Sequence, residues 1–113
     1  MTARLTSAIL VSTLIRRAEQ SGGSAMVLAK GDATAGGILL LTLERGINPC
    51  FFERGLGPTG CPALIGAGPA KLTGDADATA YWQRRRSSDP DLWVLEVDIA
   101  EAERFAAEAM GLG

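Results

Sequence analysis

Along residues 5–20 the apolar side chains recur every three or four positions. Ala8, Val11, Ile15 and Ala18 form one stripe, widened by Leu14, while Arg16, Arg17, Glu19 and Gln20 fall largely outside it. This spacing predicts an amphipathic helix with positive charge near its end, where it suits the macrodipole, and with Gly22-Gly23 as the stop. Residues 24–30, SAMVLAK, change to strict alternation: Ala25, Val27 and Ala29 point one way, Met26, Leu28 and Lys30 the other. Residues 38–45 are apolar on both parities, the pattern of a strand covered on both faces, and residues 50–54 make a short third strand. The intervals are too short for crossover helices, so the expected arrangement is an antiparallel meander. In it KGDATAGG (30–37) is a hairpin connection, with Asp32 placed to cap amides of the turn.

The pattern fails over residues 55–74, which are dense in glycine and proline. An irregular, exposed loop is expected there, with at most a short edge strand at 61–65. Thr73 or Asp75 can cap a second helix running to about residue 86, with Asp75 and Asp77 near its positive end. Asp89-Pro90 ends it. Residues 92–97 then alternate as a strand, Leu92, Val94 and Glu96 on one side and Trp93, Leu95 and Val97 on the other. Asp98, followed three residues later by Glu101, reads as a capping box for a last helix. That helix carries an Ile99, Ala102, Ala106, Ala109 stripe flanked by Phe105 and Met110. The expected fold class is α+β: a small, mostly antiparallel sheet of four to five strands packed with three helices, in the order α-β-β-β-(β)-α-β-α. The chain, 1–113, reads as a single compact domain.

Composition narrows the chemistry more than it supplies any. A chain of 113 residues buries about two thirds of its unfolded surface, which allows one core without a metal or a staple. Histidine is absent, which excludes imidazole acid/base work, Ser-His-Asp and Cys-His arrangements, and metal sites that need an imidazole. The net charge of -2 gives no global attraction to nucleic acid or an anionic membrane, leaving only local patches. Cys50 and Cys61 lack the C-x-x-C spacing and read as free, partly buried thiols. The apolar run at 8–15 is broken by Ser12 and Thr13, with no cleavage site after it, and no stretch approaches the roughly 20 apolar residues of a membrane span. A cytoplasmic protein without membrane association is expected.

The motifs divide between bland and functional readings. GDATAGG lacks the following GK[ST] and helix of a phosphate loop, and GLGPTG at 55–60 does not match a dinucleotide fingerprint. Arg84, Arg85 and Arg86, with Tyr81 and Trp82 one turn earlier, are the strongest local cluster. They read first as charges at a helix C-terminus paired with Asp89 and Asp91, and alternatively as an anion, RNA or partner contact joined by Arg16 and Arg17 if the helix ends converge. Glu44, Glu53 and Glu96 lie on strands without a defined catalytic spacing, Ser87 and Ser88 lack a base, and Lys30 and Lys71 lack supporting context. Trp93 and Phe105 are candidates for a core anchor or a subunit interface.

RLTSAILVSTLIRRAEQSGG, KGDATAGGILL, FFER and above all YWQRRRSSDPDLWVLEV together resemble domain-of-unknown-function family 1491, small alphaproteobacterial proteins. The likeness covers nearly the whole chain. It departs at LGPTGCPALIGAGPAKL, which is richer in glycine and proline and poorer in charge than the family pattern. The resemblance implies one compact bacterial α+β domain with no assigned activity, substrate or cofactor, and hence no catalytic roles to transfer. The leading expectation is a non-enzymatic domain acting through contact with itself or another protein, with no cofactor. The alternatives are weak binding of RNA or a phosphorylated ligand through the arginines, and a small enzyme with a carboxylate or lysine centre near the 55–74 loop.

Overall fold

The computed structural model describes residues 5–112. Its elements are α1 (Ser7–Gln20), β1 (Ser24–Ala29), β2 (Ile38–Glu44), β3 (Ile47–Leu56), β4 (Pro62–Ala67), α2 (Asp75–Ser88), β5 (Trp93–Asp98) and α3 (Ala102–Ala109). The α+β class and the element order are those expected from the sequence. The Thr6 side chain caps α1 by accepting from the Ile9 amide, and the buried stripe is Ser7, Val11, Leu14 and Ala18.

Strand order is where the structure departs from the meander. The sheet runs β1-β5-β2-β3-β4. Only β2, β3 and β4 form consecutive antiparallel pairs. β5 lies between β1 and β2, antiparallel to the first and parallel to the second. Burial explains the insertion. β2 is buried from Ile38 through Thr42 and β5 at every residue from Trp93 to Val97 except Glu96, so these two strands share the centre, where both faces are covered. β1 exposes Met26 and Val27 and takes an edge. Residues 30–37 therefore form no hairpin; they pass the start of β5. Skipping one strand requires only about 10 Å, well within their reach.

Side-chain alternation then splits the core in two. Val11 and Leu14 of α1 and Ala106 of α3 pack against Ile38, Leu40, Trp93, Leu95 and Val97 on one face. Ala78 of α2 packs with Leu39, Leu41, Phe51, Leu92 and Val94 on the other.

The glycine-rich middle is more regular than its composition suggests. β3 extends well beyond the expected 50–54, and β4 pairs with it from Phe51–Ala67 to Leu56–Pro62. The irregular part shrinks to the hairpin tip, where the Gly57 amide donates to the Cys61 carbonyl, and to the approach to α2. Cys50 and Cys61 are free and exposed rather than partly buried.

Two expected caps are replaced. Gly74 stands at the α2 N-cap without a side-chain bond, while Thr73 bonds Asp77 within the first turn. Asp98 does not cap α3, whose N-cap is Glu101 in the left-handed region. Its carboxylate instead accepts from the amides of Arg45 and Gly46 at 2.8 and 2.9 Å, closing the β2–β3 turn.

Candidate functional site

The loop at 31–37 is a junction built mostly of backbone. Asp32 Oδ2 accepts from the amides of Thr34 and Ala35, the capping expected of it. The Asp32 amide donates to the Asp91 carbonyl, and the Asp32 carbonyl accepts the Trp93 indole N–H at 2.7 Å. The first amides of α1, on Ser7 and Ala8, donate to the carbonyls of Thr34 and Ala33. The Ser7 hydroxyl, itself buried, donates to the Gly36 carbonyl at 2.5 Å. Gly36 is required by this packing, because a Cβ there would lie 2.1 Å from the Asp91 carbonyl oxygen. Trp93 is thus a core residue whose polar edge is satisfied. Phe105 is half-buried against the α1/α3 cluster.

The arginine cluster is taken apart by its surroundings. Arg85 forms a two-pronged pair with Glu53 of β3, at 2.9 and 3.0 Å, and donates to the Tyr81 hydroxyl at 2.9 Å. The Glu53 hydrogen bonds, then the Tyr81 bond, hold the guanidinium above its ordinary value. Arg86 donates to the Pro90 carbonyl. Arg84 is exposed, its guanidinium carbon 5.9 Å from the Tyr81 ring centre. Tyr81 in turn stacks at 4.7 Å, tilted by 52°, on Phe51. The expected pairing with Asp89 and Asp91 does not form: the Asp89 side chain accepts from the Asp91 amide instead. Arg16 and Arg17 belong to α1, on the opposite face of the sheet from α2. The cluster therefore presents no cradle of convergent guanidiniums. Its chemistry is to fasten α2 to the sheet.

The partner that sequence reasoning missed is Glu53, which precedes Arg85 by 32 residues and stands on the same sheet face as Leu39 and Phe51. Strand parity alone placed it on a face; nothing local connects it to α2.

Three features remain as places where another molecule could be met. An open hollow of about 470 Å³ lies between the start of β3 and residues 70–75, near Lys71 and Cys50. A more enclosed one, about 360 Å³, lies between the start of α1 and the loop at 34–37, with Arg54 in its wall. The third is the open side of β1. Among the described residues no group of three or more Cys, Asp or Glu side chains could hold a metal, and no helix is long and apolar enough to cross a membrane.

The family model described as "Protein of unknown function (DUF1491)" matches residues 5–107. No curated protein matches the chain. The chain is similar to a DUF1491 family protein from Caulobacter crescentus CB15 solved by crystallography at 1.87 Å. That match has 34% identity over 89% of this chain and 94% of that one, with a TM-score of 0.75. An NMR structure of a DUF1491 family protein from the same organism matches at 33% identity over 92% and 94%, with a TM-score of 0.73. A solution structure from A. tumefaciens matches at 28% over 85% and 86%, with a TM-score of 0.65.

Proposed function

Since the chain belongs to the DUF1491 family, whose function is unknown, we propose from its own geometry that it is a non-enzymatic contact domain that pairs with a second copy of itself through β1. The observation that carries this reading is the character of that edge. β1 has one neighbour, β5, and its segment SAMVLA contains neither charge nor proline. Met26 is 52% and Val27 39% exposed. Soluble proteins usually blunt such an edge with a charge, a proline, a bulge or a cover, because its free N–H and C=O groups invite another strand, and of these β1 has only the irregularity at its far end. The opposite edge has a proline at its start: β4 opens on Pro62.

A second copy is the natural occupant. Antiparallel pairing of identical strands about a twofold axis is self-complementary, and a neutral strand meets no like charge across the join. The irregularity between Val27 and Ala29 confines the regular pairing surface to residues 24–27.

Light scattering across the micromolar range tests the proposal. Association that rises with concentration is expected, and Met26→Lys abolishes it. Met26 lies opposite Glu96, so the new cation gains a cross-strand partner and the fold is kept, which circular dichroism checks. A monomer at every concentration, or a Met26→Lys variant that associates as before, would refute the reading.

A further inference from the structure

The hollow beside α1, half open to solvent, combines hydrocarbon with a cation in its lining. Its volume of about 360 Å³ falls within the range of small-molecule pockets. Leu10, Ile38 and Met110 give it an apolar wall, and among the described residues of its lining Arg54 is the one that carries a charge. Arg54 takes part in no side-chain hydrogen bond or ion pair among the described residues, in contrast to Arg85 and Arg86. The opposite wall is fixed by the buried bond from Ser7 to Gly36 and by the close approach of Gly36 to Asp91.

The start of α1 also borders the hollow, yet it is not what would hold an anion. The Ser7, Ala8 and Ile9 amides already donate to Thr34, Ala33 and the Thr6 hydroxyl. Among the described lining residues the cation is the Arg54 guanidinium, and Leu10, Ile38 and Met110 give the same hollow its hydrocarbon surface. We propose that this hollow binds a short-chain aliphatic carboxylate, with the carboxylate on Arg54 and the tail against Leu10, Ile38 and Met110. A compact inorganic anion would meet Arg54 but leave the apolar wall wet, and an uncharged chain of equal length would forgo the charge-assisted bond to the exposed guanidinium.

Amide NMR titration of the intact chain with hexanoate tests this, with 1-hexanol and inorganic phosphate as comparison probes. Hexanoate should shift, saturably, the amides of residues 34–38 and of Arg54. Arg54→Gln should weaken binding about tenfold, as loss of a charged hydrogen bond does. Arg84→Gln, outside the hollow, should leave it unchanged. Both comparison probes should bind about tenfold more weakly than hexanoate. The proposal is overturned if hexanoate shifts no residues there, if Arg54→Gln binds it equally well, or if phosphate or hexanol matches it.

Discussion

Against one face of the sheet α1 and α3 bring Val11, Leu14, Ala18, Ala102 and Ala106, all buried, in two helices whose apolar stripes match the surface they cover. Against the other, α2 buries only Ala78 and relies on half-buried Tyr81 and Trp82 and on the Arg85–Glu53 pair. A helix with a continuous stripe is held by area removed from water, which salt does not screen as it screens a charge pair. A helix without one is held at points, and the points must be specific. The two-pronged geometry of Arg85 on Glu53, with Tyr81 wedged on Phe51, supplies orientation more than energy, since both charged side chains remain about a third exposed at 31% and 35%.

The largest effect expected from breaking this contrast is on the stripe. Leu14→Ala, at a fully buried position, should cost about 3 kcal/mol in chemical denaturation and should unfold the whole domain rather than one helix. Next comes the point contact beneath Tyr81. Gly68 has a φ of +76°, and a Cβ there would sit 3.0 Å from the ring, so Gly68→Ala should cost about 1–2 kcal/mol and displace the tyrosine, seen in its ring NMR signals. Arg85→Ala should cost about 1 kcal/mol, and hydrogen exchange should show α2 opening well before global unfolding. Raising the salt should shrink that cost, while the cost of Leu14→Ala stays the same.

The smallest effect sharpens the picture at the start of α2. Hydrogen bonds from the Thr73 hydroxyl and amide hold the Asp77 carboxyl below its ordinary value. A lowered folded value means that this contribution is complete above about pH 4 and fades as pH falls below that through the folded value. Thr73→Val should lower stability slightly at neutral pH and leave it nearly unchanged in strong acid, so that the profile below about pH 4 falls less steeply than in the parent.

These faces were not equally legible. The period of α1 and the two-parity apolar run of β2 come from neighbours in sequence, so their burial could be read directly, and the side assignment of Trp93, Leu95 and Val97 followed from alternation. The position of β5 depended on a competition among strands for the centre of the sheet, which the short connection at 30–37 disguised. β4 was nearly hidden because Pro62 and Gly66 are poor strand residues individually, tolerated because β4 has only one neighbour. On the α2 face the arginines were visible but their partners were not. Asp89 and Asp91 were the nearest acids along the chain, whereas Glu53 was brought near by the fold. Asp98 likewise had the right spacing for a cap and found a better-placed pair of amides at Arg45 and Gly46.

The central place of β5 also bears on how the chain emerges from the ribosome. When residues through β4 have been synthesised, β1 and β2 have no strand to join them, and a slot lies open between two hydrogen-bonding edges. The nascent chain must keep that slot vacant until the next-to-last element arrives, so docking of β5 is a late and distant closure of the kind that slows folding and leaves strand edges exposed to other molecules meanwhile.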